Sequence, residues 1–315
     1  MSADDGADVP LGSLRLLDRI GDGGQGEVYT LGGWSGVLYK SYREPRRVDG
    51  DALAALVAVR RALEPGDRDR LDAEAAWPLC RVTDGGQVTG FLMHRAPSTM
   101  MWRASNGDTK LTELAFLLRP PKRAWQEVVQ PSPGERYDLV VALVELLDRL
   151  HTMGLVLGDL SQANVLWTVR PGPAVYLLDC DGARPAGREP VLAQADTIDW
   201  NDPKAPPGLV TVDSDRYKAA LALARILAQD AYAAPGKPFV PLPGVLDERR
   251  EAAVRRLLGQ AAGDFGTRPD LGQWRTALAG RDVIKLTAAT PAPRPMVDRS
   301  KFDEIRQRGT ISLRD

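Results

Sequence analysis

The stretch Ile20-Gly21-Asp22-Gly23-Gly24-Gln25-Gly26-Glu27-Val28-Tyr29 restricts the folds open to this chain more than any other. Leu14 to Ile20 leads into it as a strand, Glu27 to Leu31 leaves it with strand character, and Gly32-Gly33 turns the chain again. The glycines fall as G-x-G-x-x-G-x-V at Gly21, Gly23, Gly26 and Val28. Glycine lets the backbone approach a phosphate chain and point N–H groups at it. In a dinucleotide-binding fold this spacing opens a helix. A strand follows here, so the spacing predicts a glycine-rich hairpin over ATP phosphates, with an ordinary hairpin turn as the plain alternative.

The next strand, within Trp34 to Tyr42, holds one lysine, Lys40, in the run Gly36-Val37-Leu38-Tyr39-Lys40. A buried ammonium needs an anionic partner. Nucleotide phosphates at this spacing from the glycine hairpin would serve, although a solvent-facing lysine on a strand is the plain reading. Further along, Gly158-Asp159-Leu160-Ser161-Gln162-Ala163-Asn164 precedes an apolar strand opening at Val165-Leu166. Then Leu177-Leu178-Asp179-Cys180-Asp181-Gly182 is an apolar strand that ends in acids at a glycine turn. An acid, an amide and a second acid at strand and loop edges can hold a divalent metal and orient a hydroxyl beside it.

Periodicity supplies the rest. Residues 49–63 read as a helix stopped by Pro65-Gly66, and Val82 to Met93 as a hairpin turning at Asp84-Gly85-Gly86. Leu111 to Leu118 reads as a possible helix in an irregular segment. Glu135 to Met153 is amphipathic, with Leu139, Val140, Leu143, Leu146, Leu147 and Leu150 at helical spacing and Gly154 behind it. Ser214 to Ala228 forms another helix, with Asp215 in its first turn, and Glu248 to Leu258 and Leu271 to Leu278 two more. Residues 1–13 read as a loose N-terminus. Pro291, Pro293 and Pro295 mark a linker, and Ser300 to Arg308 a short charged helix or a solvated tail. A strand-rich part followed by a helical part predicts an α+β fold in two lobes, over 14–97 and 98–280, with a Pro-rich tail at 281–315.

Composition excludes several classes. A net charge of -1 gives no reason to expect nucleic acid or anionic membrane as the main partner. The chain is 43% hydrophobic, yet no run approaches the roughly 18 apolar residues of a membrane span. The acidic start, Met1 to Asp5, is no signal peptide. The only cysteines, Cys80 and Cys180, suit reduced thiols in a cytoplasmic protein, and having just two histidines, His94 and His151, argues against a histidine-based metal site.

From about Leu14 to Ala279 these features, in this order, resemble the eukaryotic-type serine/threonine protein kinase fold, in a divergent bacterial form. Gly21 to Val28 is similar to its glycine-rich loop and Lys40 to its strand lysine. Met93 falls at the gatekeeper position, with His94, Arg95 and Ala96 as hinge. Asp159 matches the catalytic aspartate, Asn164 and Asp179 the metal ligands, Asp215 the aspartate that buttresses the catalytic loop, and Arg268-Pro269 a late R-P pair. The resemblance implies a bilobal fold, ATP and Mg2+ as cofactors, and an adenine pocket lined by Val28, Leu38, Met93 and Leu166. Lys40 would hold the α- and β-phosphates, and Asp159 would accept a substrate hydroxyl's proton. It also suggests a PP2C-type phosphatase and a von Willebrand-type domain protein as partners.

Departures from the family pattern carry their own expectations. Leu157-Gly158 stands where His-Arg is usual, and Gly182 to Asp202 contains Thr197 but no Ser or Tyr, which implies activity not gated by phosphorylation there. Ser161 replaces a lysine that contacts the γ-phosphate, and Lys204 replaces a glutamate, so it cannot pair with Arg268. No Glu stands at the usual spacing to partner Lys40, which leaves Asp51, Glu64 and Glu74 as candidates. Asp181 either adds a metal contact or is solvated. Three functions stay open: an active Ser/Thr protein kinase, a nucleotide-binding pseudokinase scaffold, and a small-molecule phosphotransferase similar to aminoglycoside and choline kinases.

Overall fold

The computed structural model describes residues 6–125, 127–193 and 197–280, and in these the chain is a mixed α+β structure. The expected linker and charged helix beyond residue 280 lie outside the described residues. Strands β1 (Val9–Pro10), β2 (Leu16–Asp22), β3 (Gly26–Leu31), β4 (Val37–Tyr42), β5 (Pro78–Asp84) and β6 (Gln87–His94) form a six-stranded sheet in the order β1-β5-β6-β4-β3-β2. Only β1, which pairs with β5, is parallel to its neighbour. Residues 9–13, expected to be loose, are therefore β1 and a 3-10 turn, Leu11–Ser13. Val9 is buried in a small core with Leu79, Val82 and Leu92, and that apolar contact holds a segment too short to show any pattern in sequence.

Helix α1 (Gly50–Arg61) starts where the Asp49 side chain accepts the backbone N–H groups of Asp51 and Ala52. It packs on β5 through Leu53 and Leu56, and the Trp77 indole donates to Leu56 O at 2.9 Å. Pro65, expected only to stop this helix, also opens α2 (Pro65–Glu74). At the first position of a helix the missing proline N–H costs nothing, so a stop signal doubles as a start.

The remaining helices are α3 (Pro133–Thr152), α4 (Val212–Ala228), α5 (Glu248–Ala261) and α6 (Leu271–Leu278). Ser132 and Glu135 cap α3 reciprocally, and its six expected apolar positions are all buried. Each leucine so placed contributes roughly 2 kcal/mol by burial. Gly154 ends the helix at φ +75°, a conformation that favours glycine. Helix α3 packs against both α4 and α6.

Six short strand segments among the described residues pair antiparallel: β7 (Met101–Arg103) with β8 (Thr109–Leu111), β10 (Val165–Thr168) with β11 (Ala174–Leu177), and a third pair. β9 (Leu155–Val156) pairs with β12 (Arg184–Pro185). The helix expected over Leu111 to Leu118 is instead the end of β8 and one 3-10 turn, Leu114–Phe116. Its backbone is committed elsewhere: Thr112 N donates to Met100 O, while Trp167 donates from its backbone to Thr112 O and from its indole to Glu113 O. Among the described residues, no helix is long and apolar enough to cross a membrane.

Candidate functional site

A cavity of about 390 Å³ opens beside the sheet. Leu38 and Met93 face it from directly paired positions on β4 and β6, and Gly21 and Val28, paired across β2 and β3, line it as well. Met101, Thr109, Lys110 and Leu111, from the β7–β8 hairpin, close another side. Sequence reasoning missed this hairpin because three-residue strands are too short for an alternating pattern to register. Leu166 does not form part of the wall. It is fully buried in the main core, bridged to Glu113. β10 turns it into the protein because both faces of that short strand are covered.

The glycine hairpin is held by more than its glycines. Arg43 donates from Nε to Gly23 O at 3.0 Å and from its backbone to Gln25 O at 3.0 Å, and pairs with Asp22. Gly26 has a packing reason to be glycine: a Cβ there would stand 2.2 Å from Ser41 O. Gly23 N donates to Gly26 O at 2.9 Å, so this N–H is already used within the hairpin.

Lys40 lies on β4 opposite Val28, with its side chain only 6% exposed. Its Nζ donates to Asp181 Oδ1 at 2.7 Å and Asp179 Oδ1 at 3.3 Å. Burial opposes the ammonium, but Asp181 and then Asp179 more than offset it and hold its pKa above the ordinary value. The lysine's expected anion is therefore present, but none of the three candidates supplies it. Glu74 pairs with Arg149 and Arg70, and Asp51 is exposed in the first turn of α1. Asp181 is likewise not solvated. Its side chain is 2% exposed, and Tyr42 OH donates to its other oxygen at 3.1 Å.

Asp179, two residues beyond β11 and immediately before the 3-10 turn Cys180–Gly182, lies in the left-handed region at φ 51°, with its side chain 55% exposed. Positive φ in a non-glycine residue is strained and concentrates at functional sites. Asp179 lines both the large cavity and a small recess shared with Asp159 and Asn164. Within that recess, Asn164 Nδ2 donates to Asp159 Oδ2 at 2.9 Å and to Asp159 O at 2.9 Å. Thr197 Oγ1 donates to Asp159 Oδ1 at 3.1 Å. Burial raises the Asp159 pKa despite the opposing hydrogen bonds of Thr197 and Asn164 and the charge of Lys218.

The loop that carries Asp159 is tied to α4. Asp215 accepts Leu157 N at 2.6 Å and Gly158 N at 2.9 Å, and Lys218 Nζ donates to Gly158 O at 2.7 Å. Lys218 was not anticipated. Its signal was its place three residues after Asp215, which sets both on one helix face. In the same first turn of α4, Asp213 pairs with Arg268, which also pairs with Asp202 at 2.6 Å. Lys204 points elsewhere, to Asp264, so Asp202 fills the role that the lysine could not.

Asp159 and Asn164 thus border the small recess, Asp179 borders both it and the apolar cavity, and Lys40 reaches Asp179 from β4. Among the described residues, no cluster of three or more His, Cys, Asp or Glu could hold a metal on protein ligands alone. A small hard cation that uses one or two protein oxygens and completes its shell from phosphates and water is compatible with that donor set. No protein-family model matches the sequence. A search of curated proteins finds no match.

Proposed function

We propose that the chain is an ATP- and Mg2+-dependent protein kinase of a bilobal kinase-like fold, transferring the γ-phosphate to serine or threonine hydroxyls in the cytoplasm. One observation carries the reading: an apolar cavity of nucleotide-accommodating size meets, at Asp179, a small recess that Asp159 and Asn164 line, and Lys40 is hydrogen-bonded to that same Asp179. Val28, Leu38 and Met93 would hold the base. Lys40 would hold the α- and β-phosphates, and the 55% exposed Asp179 is free to turn to a cation when they arrive.

Residues present fit Mg2+. Asn164 commits its NH2 group to Asp159, which leaves its amide oxygen as the face open to a cation, beside the Asp179 carboxylate. The ion would neutralise charge on the β- and γ-phosphates. Asp159, its pKa raised by burial, is a stronger base than an exposed aspartate and is held in register by Asn164 and Thr197. Asp215 and Lys218 fix the backbone beneath it from both sides.

The test is transfer of γ-phosphate from MgATP to the chain itself and to a generic protein substrate, with Asp159→Asn as control. Incorporation that disappears in the variant supports a working kinase. Magnesium-dependent stabilisation by ATP without transfer, abolished by Asp179→Asn, would instead make the protein a nucleotide-binding scaffold. Transfer only to small hydroxylated or amino-sugar acceptors would make it a small-molecule phosphotransferase.

A further inference from the structure

We infer that Asp181 is the positioning acid for Lys40 and that it leaves Asp179 available to the metal. The inference rests on the kinase reading above and assigns a residue to that same site. Three observations carry it. Asp181 is the nearer of the two acids, at 2.7 Å against 3.3 Å. It is buried where Asp179 is exposed, with side chains 2% and 55% accessible. Its second oxygen is engaged by Tyr42 OH at 3.1 Å, so both oxygens are directed at β4 and away from the recess that Asp159 and Asn164 line.

The arrangement divides labour between neighbours in one turn. The 3-10 turn Cys180–Gly182 carries Asp181 inward beneath Lys40, while Asp179 immediately before it stays at the cavity mouth. A lysine shared by two acids can give up the exposed one and remain paired. Its placement then depends on the 179–182 turn and on Tyr42, two residues further along β4, and on no acid of α1 or α2. Displacement of those helices is consequently not a switch for the lysine in this protein. Tyr42 is a further positioning residue, acting through Asp181.

Calorimetric binding of ATP in EDTA, of ATP with Mg2+, and of adenosine separates this role from a metal-ligating one. Asp181→Asn is expected to weaken metal-free ATP binding about tenfold, the scale of one charge-assisted hydrogen bond, with adenosine unaffected. Lys40→Met is expected to match it, and the double variant to bind no more weakly than either. Asp181→Glu should restore part of the affinity, Tyr42→Phe should cost a few-fold, and Asp51→Asn should change nothing. Asp179→Asn should remove only the gain that Mg2+ provides. Unchanged metal-free binding in Asp181→Asn, with loss of the magnesium-dependent gain, would make Asp181 a metal ligand and overturn the inference.

Wild-type protein that binds neither ATP nor adenosine would refute the kinase reading alone. The pair itself is read independently by a double-mutant cycle of Lys40→Met and Asp181→Asn in melting temperature. Shifts that fail to add support the pairing, and additive shifts overturn it. If Asp181→Asn does not fold, Asp181→Glu and Tyr42→Phe carry the same comparison.

Discussion

Lys40 and Arg268 are both buried cations for which the sequence offered no obvious acid, and both acquire two. Arg268 is wholly enclosed: its side chain is 0% exposed, Asp202 is 2% exposed, and the rings of Tyr217 and Phe265 lie against the guanidinium. Lys40 shares one enclosed acid and one that faces solvent. A closed cluster holds structure together and has no partner to exchange. A half-open one can trade its exposed carboxylate for a ligand at little cost. Burial of a charge by itself therefore says nothing of function; the accessibility of its second partner does.

The largest effect that would sharpen this contrast is expected from Arg268→Met. Two acids lose their cation in the interior, so stability should fall by about 3–5 kcal/mol, or roughly 10 °C in melting temperature. Catalysis measured well below the transition should be retained. An unchanged melting temperature would break the comparison at once. Lys40→Met should shift the balance of effects toward activity, lowering phosphotransfer by at least about 100-fold, a loss of roughly 3 kcal/mol in transition-state stabilisation, with a smaller thermal shift because only Asp181 is left enclosed without its cation.

A smaller effect comes from a third cluster, where Arg60 Nε donates to Asp72 at 2.7 Å and His94 approaches the same carboxylate. Burial pushes the Asp72 pKa up, but the Arg60 and His94 hydrogen bonds more than offset it, and the folded value lies below the usual 3.8. The contribution is thus fully present above the unfolded pKa and is lost as pH falls through the lower folded one. Stability of Asp72→Asn against wild type across pH 6 to pH 2 should show a difference that narrows on acidification; a constant difference would remove the linkage. The smallest expected effect is Asp51→Asn, whose stability should stay within roughly 0.5 kcal/mol of wild type by chemical denaturation.

Much of the molecule was legible before the structure. The α3 and α4 helices follow from apolar spacing alone, because burying one face is what stabilises a helix. The glycine hairpin and the need of Lys40 for an anion follow from local geometry and the cost of a bare buried charge. Less visible were α2, opened by a proline that reads as a stop, and the β7–β8 hairpin, whose strands are too brief for a period.

Sequence by itself determined which residue types stand at the site: the lysine in a strand, the acid and amide of Asp159 and Asn164, and two acids at Asp179 and Asp181. Tertiary structure alone decided which acid meets which cation. Sequence distance carries no information on that choice, since the partners of Lys40 lie 139 and 141 residues away. Only the turn at Cys180–Gly182 sends Asp181 inward and leaves Asp179 in solvent. One left-handed residue sets the direction of both carboxylates, and such a conformation is stabilised by the packing around it, which no local pattern encodes.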